Sequence, residues 1–327
     1  MQASTSGRPT LRSAIFRHDN DYGVDPRSDD MWLPGLSVAC VVPYYETGPL
    51  ALECVSRLAR ALRAYEAAHV RAPLTQVVVV DDGSVRHPFP DALDGSTPFR
   101  LIRLPDNRGR SAARNVGLHA AADFDVTIFV DSDILVQEDH VIRICELWDS
   151  GTAEQRTREA IVTNLFSTLR GRLEEVDLDH VLEAASVASD WRWRCRYQPS
   201  WVGAAGDWMY VGRQFELISE TDFFRRWTGM VGPWALPNMV LGGCFAVPTK
   251  TAIRVGGFDE RFATYGFTET SLVAKLIAHG VPVIPQVKVA AVHLELNPNH
   301  HSQAERNAFF RMAHRKFFTE FMANELI

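Results

Sequence analysis

The chain has 327 residues, 46% of them hydrophobic and 23% charged, with a formal net charge of −6 at neutral pH. That length accommodates one large or two medium domains around an ample core, and the composition is that of an ordinary globular protein. The acidic balance gives no support to a nucleic-acid partner, which needs a basic face.

Residues 1–35 lack the long apolar core of a signal peptide and are expected to form an irregular arm, docked through Ile15, Phe16, Met31 and Trp32. From Leu36 the pattern alternates between buried strands and amphipathic helices. LSVACVVP (36–43) predicts a strand stopped by Pro43, which cannot donate to a ladder. Thr47 as a cap and Pro49 in the first turn open a helix with Leu50, Cys54, Leu58 and Leu62 on one face. QVVVVDDGS (76–84) predicts a second strand and FRLIRLP (99–105) a third. GRSAARNVGLHAAA (109–122) reads as a small-residue helix, and VTIFVD (126–131) as a fourth strand. Helix-length connections between buried strands imply a doubly wound, mainly parallel α/β sheet.

The later chain is less regular. EAIVTNLFS (159–167) is a further candidate strand, and residues 168–235 form a long segment rich in Trp, Arg and acidic residues, including Trp191–Trp201. LGGCFAVP (241–248) returns to strand character, and FTETSLVAKLIAHG (267–280) predicts a helix closed by Gly280. VPVIPQVKVAAVHLEL (281–296) supplies one or two strands. AERNAFFRMAHRKFFTEFM (304–322) forms an amphipathic terminal helix. Five dispersed cysteines without CxxC spacing read as reduced thiols of a cytoplasmic protein. No apolar run approaches the roughly 20 residues of a spanning helix.

Chemistry gathers at the predicted strand ends. Asp131 and Asp133 emerge where open α/β sheets place their ligands, and paired hard oxygens suit a divalent cation that also holds phosphates. An isolated pair of this kind equally caps a following helix. Asp82, before Gly83 and Ser84, is placed to accept from a nucleobase or ribose donor, or simply to form a turn. Arg108, Arg110 and Arg114 bring cations toward where a diphosphate would lie, although Arg114 and Asn115 taken alone read equally as helix-surface residues.

Taken together, PYY (43–45), VVDDGS (79–84), NRGRSAARN (107–115) and DSD (131–133) resemble, in order, the nucleotide half of family 2 glycosyltransferases of GT-A fold. The resemblance resumes in GGCFAVPTKTAIRVGGFDERF (242–262) and in the FTETSL helix. Covering roughly 36–165 and 238–296, it implies a nucleotide-sugar-binding half at 36–165 and an acceptor-binding half at 166–300, whose insertion at 168–235 it does not cover; the C-terminal helix is expected to occupy 301–327. It also implies an inverting transfer from a nucleotide sugar, UDP-linked by preference, assisted by Mn²⁺ or Mg²⁺. Pro43 and Tyr44 would line the base, Asp82 would bind uracil or ribose, and Arg114 would lie near the nucleotide. Asp133 would be the principal metal ligand, with Asp131 contacting ribose or completing the shell, and His293 a third contact. Glu269 falls where the family has its catalytic aspartate, and Thr268 where it has the preceding glutamate. Cys244 stands where the family often has Asn.

The acceptor is expected to be a small molecule, a peptide or a glycan. Peripheral membrane contact and homo-oligomerisation stay open. The rival readings are a non-catalytic nucleotide-sugar-binding scaffold and a sugar-phosphate nucleotidyltransferase, although PYYETGPL is not the Gly-rich loop of the latter.

Overall fold

The computed structural model describes residues 8–18, 29, 32–93, 98–148, 159–170, 233–240, 242–263, 266–295 and 302–326. Most of the expected insertion, Trp191–Trp201 and Met31 lie outside the described residues. The strands are β1 (Val38–Tyr44), β2 (Thr75–Asp81), β3 (Arg100–Arg103), β4 (Val126–Val130), β5 (Ile134–Val136), β6 (Ile161–Arg170), β7 (Cys244–Pro248) and β8 (Val283–Glu295). They form one sheet in the order β3-β2-β1-β4-β7-β6-β8-β5, in which only β7 and β5 run against the rest. The expected mainly parallel sheet is therefore present, with helices on both faces. The helices are α1 (Leu11–Arg17), α2 (Pro49–Ala67), α3 (Arg110–Ala120), α4 (His140–Glu146), α5 (Thr249–Arg254), α6 (Thr268–Ala278) and α7 (Gln303–Thr319).

The period-2 alternation of the strands explains the two layers. Val38, Cys40, Val42, Val77 and Val79 pack on the face covered by Leu50, Cys54, Leu58 and Leu62 of α2. Ala39, Val41, Val78 and Val80 pack on the other, with Leu118 of α3 and Leu272 and Leu276 of α6. Burying each large aliphatic side chain contributes about 1.5–3 kcal/mol, so an unbroken valine run requires cover on both sides. The cover is close: a Cβ on Gly117 would lie 2.2 Å from Val41 Cγ1, which lets α3 seat directly on β1.

Several expectations need correction. Pro43 does not stop β1, which continues to Tyr44. The β1–β4 pairing ends at Val41, and Tyr44 bonds toward β2, so the N–H that Pro43 lacks would face a stretch with no ladder. The arm is not wholly irregular. Thr10 caps α1 by accepting from Ser13 N, and Leu11 and Ile15 bury one face. Trp32 is more than half exposed. Thr47 does not cap α2; Gly48 does, at φ 75°. Residues 283–295 form one continuous strand, with β6 shifting register opposite it between Asn164 and Phe166. The short β5 and α4 lie below the length at which hydrophobic periodicity is readable. Among the described residues no helix is long and apolar enough to cross a membrane.

Candidate active site at the strand ends

The loops after β1, β2 and β4 open at one sheet edge because those strands are parallel. Both aspartates ending the β2 segment accept from backbone amides. Asp81 takes Ser84 N at 3.0 Å and Phe89 N at 2.9 Å, closing its own turn. Asp82 takes Arg108 N and Gly109 N, each at 2.8 Å, and so tethers the turn that enters α3. Burial pushes the Asp82 carboxyl above its ordinary range, against those amides. Gly83, at φ 73°, is required here, since a Cβ would come within 2.4 Å of the Asp106 backbone.

Glu46, at φ 54°, spans the β1 and β2 loops by accepting from Val85 N, Arg86 N and His87 N at 2.8–2.9 Å. Burial opposes its ionisation, but these amides and Arg86 hold it below the usual carboxylate range. Tyr44 is turned inward. Its phenol donates to the His87 carbonyl and accepts from Gly48 N, and its ring lies edge-on to Phe89. The exposed aromatic at this edge is Tyr45, beside half-buried Pro43.

Arg114 lies at the centre. It is fully buried, although α3 helix-surface placement was one reading of the sequence. One terminal nitrogen donates to Asp131 Oδ1 at 2.7 Å and to the Gly242 carbonyl at 2.6 Å. The other donates to Thr268 Oγ1 at 3.3 Å and lies 3.9 Å from Glu269 Oε2. Its Nε has no hydrogen-bond partner among the described residues, and the guanidinium sits over the Phe258 ring. Burial would raise the Asp131 carboxyl, but Arg110, at 3.7 Å, and Arg114 outweigh it and hold Asp131 ionised.

Asp133 is set by β5. Leu294 N donates to its carbonyl, and the Ile134–His293 register brings His293 Nε2 to 3.1 Å from Asp133 Oδ2. Two ligands on adjacent octahedral positions at about 2.1 Å from a cation lie about 3 Å apart, so this pair fits a Mg²⁺- or Mn²⁺-type ion. Among the described residues no group of three or more His, Cys, Asp or Glu side chains converges on one point.

Glu269 stands in the first turn of α6, partly exposed, with Thr268 Oγ1 donating to its Oε2 at 2.6 Å. A Cβ at Gly242 would collide with Glu269 Cδ at 2.5 Å, so this glycine makes room for the carboxylate. The residue before the helix, Phe267, is left-handed at φ 62° and ψ 11°, which for a bulky side chain costs roughly 1–2 kcal/mol. Asn115 fixes the GGFDE loop: it accepts from Phe258 N and donates to the Phe258 carbonyl and to Glu260. Asp259 pairs with Arg261, consistent with bracing rather than chemistry. Cys244 is buried and its thiol pushed well above the ordinary range by burial. Its neighbour His140, 3.4 Å away, is pushed down to about 3 by burial, so the pair holds neither thiolate nor imidazolium at neutral pH.

The structure thus brings Asp131, Arg114 and Glu269 into one network, with Asp133 and His293 paired beside it. Asp82 and Tyr44 sit behind the edge, engaged by backbone groups. Sequence reasoning missed Phe267 and the bridging role of Thr268. The only signal for Thr268 was its standing in place of an expected acid.

Comparison with known proteins bears on this site. Residues 39–174 match the family Glycosyl transferase family 2. That span contains the PYY, VVDDGS, NRGRSAARN and DSD segments. An uncharacterised glycosyltransferase, YfnE, of Bacillus subtilis (strain 168) is 23% identical over 236 residues, or 67% of this chain and 57% of its own. The chain thus spans a little over half of that relative. Solved structures that resemble the fold include a mannosyltransferase of Pyrobaculum calidifontis in complex with GDP-Man and Mn²⁺. It is 18% identical, covers 88% of this chain and 66% of that one, and has a TM-score of 0.48. Another is GalNAc-T7 with UDP, GalNAc and Mn²⁺, at 12% identity, 90% and 49% coverage and a TM-score of 0.49.

Proposed function

We propose that the protein is an inverting, metal-assisted glycosyltransferase that moves a sugar from a nucleoside-diphosphate sugar, UDP-linked by preference, to an acceptor hydroxyl. The observation that carries this reading is the shared guanidinium. Arg114 ties Asp131, on the nucleotide side, to Thr268 and Glu269, on the opposite side, within a segment that matches the family only in its first part.

Asp133 and His293 would hold the cation, which when bound supplies positive charge to the departing nucleoside diphosphate. Arg110, beside Asp131 at the mouth, adds a second cation toward the same leaving group. Glu269 presents its carboxylate with Oε2 fixed by Thr268 and Arg114, and Oε1 has no hydrogen-bond partner among the described residues. That oxygen accepts the acceptor's proton as the hydroxyl attacks the anomeric carbon opposite the leaving group. Arg114, 3.9 Å from Oε2, holds the carboxylate in place.

The reading is tested by thermal shift with UDP- and GDP-sugars, with and without Mn²⁺, followed by transfer assays on the donor that binds. A metal-dependent shift that disappears in Asp133→Asn is expected. Absence of any metal-dependent shift across the donors would remove the reading. Donor binding with no turnover sensitive to Glu269→Gln would favour the non-catalytic scaffold instead.

A further inference from the structure

Phe267 sits between a glycine at φ 98° and the Thr268–Glu269 pair, and it adopts a conformation that glycine would reach freely. A bulky residue persists there only where its surroundings over-determine it. Those surroundings come from the C-terminal helix. The buried Phe267 ring lies 4.9 Å from Phe317, 5.3 Å from Phe310, 5.8 Å from His314 and 6.1 Å from Phe318, centroid to centroid. The backbone is pressed onto the same face, since a Cβ on Gly266 would lie 3.0 Å from Phe310.

We propose that Phe267, clamped by the aromatic face of α7, is a positioning residue for Glu269, so that the C-terminal helix sets the rate of transfer from outside the site. The inference rests on Glu269 being the base. The linkage is short. Phe267 O accepts from Ser271 N, closing the first turn of α6, and Ser271 Oγ donates to Thr268 O while accepting from Asp259 N. The left-handed step at Phe267 directs the chain into that turn so that the Thr268 hydroxyl meets both Arg114 and Glu269. Relaxing Phe267 toward an ordinary conformation rotates the turn and moves Glu269 off its line. Misplacement on the order of 1 Å in such a group costs about a hundredfold in rate.

The test uses the full chain carrying Phe267→Ala, Phe310→Ala or Phe310→Tyr, assayed well below the Tm of each. The alanine variants are expected to lose about tenfold or more in kcat. Donor KM and the Mn²⁺-dependent donor shift should stay within about twofold. Phe310→Tyr, which keeps the ring, should retain the rate. Hydrogen exchange at the amides of residues 268–271 should quicken in the alanine variants while β1 and β2 stay protected, a readout independent of turnover. Lower Tm with unchanged kcat in both alanine variants would make the aromatic cluster mere core and overturn the inference. If Phe267→Ala fails to fold, Phe310→Ala carries the test alone. A wild-type chain that binds donor but transfers nothing overturns the role of Glu269 and this inference with it, and is recognised because the unaltered protein is silent.

Discussion

The two sides of the site are secured by different means. At the ends of β1 and β2, the carboxylates of Glu46, Asp81 and Asp82 each accept backbone amides from neighbouring loops, so the edge is a lattice of turns. On the α6 side, Glu269 is held by two side chains, its neighbour Thr268 and Arg114, which lies 154 residues before Thr268. In the first arrangement every carboxylate is met by two or more backbone amides. The second depends on two halves of the chain meeting correctly, and a single substitution can undo it.

The strongest test of this contrast is Glu269→Gln. If Glu269 is the proposed base, its loss reduces transfer by about 10²–10⁴-fold, measured as kcat, while the donor-dependent thermal shift persists because the amide lattice is untouched. Next, Arg114→Ala leaves Asp131 and Glu269 without their common cation. A loss of about 3–5 kcal/mol is expected in urea denaturation, the usual cost of removing one partner of a buried ion pair. A loss below about 1 kcal/mol, as for a surface pair, would mean that the guanidinium does not join the two sides.

A smaller effect follows from His140 behind Cys244. Its folded pKa of about 3 lies below the unfolded value, so between the two the unfolded chain binds the extra proton. Stability is therefore complete above about pH 6.5 and falls as pH drops through that window, by about 2 kcal/mol at pH 5. The wild type should lose that much more than His140→Leu between pH 7 and pH 5 in denaturant titrations. The smallest expected effect is a control on α7. Ser302 and Glu305 form a capping box at its start, and Ser302→Ala should cost about 1 kcal/mol without changing kcat. If it slowed transfer as much as Phe310→Ala, any loosening of α7 would do so, and the role given to the aromatic clamp would weaken.

The apolar runs of β1, β2 and β4 were readable because a buried parallel strand must be continuously hydrophobic. The strand-end acids were readable because such strands stop abruptly at polar turns. That Asp82 and Tyr44 are engaged by backbone groups was not readable, since a carboxylate facing a ligand and one facing a loop amide look alike in sequence. β5 escaped notice for its three residues, yet it is the element that sets Asp133 beside His293. Arg114 was seen as a cation near a phosphate, whereas it is completely buried, with Gly242, Thr268 and Phe258 against its guanidinium.

By itself, then, the sequence determined the layered α/β plan, the order of strands that end in acids, and the residues among which the chemistry should be sought. These follow from local periodicity and turn chemistry, which act over a few residues. Only the tertiary structure decided which side chains touch: Asp133 bonds directly to His293, and Asp131 and Glu269 share one guanidinium. The Asp133–His293 and Arg114–Glu269 contacts join residues more than a hundred positions apart, and their geometry follows from how the sheet closes, not from the spacing of any motif.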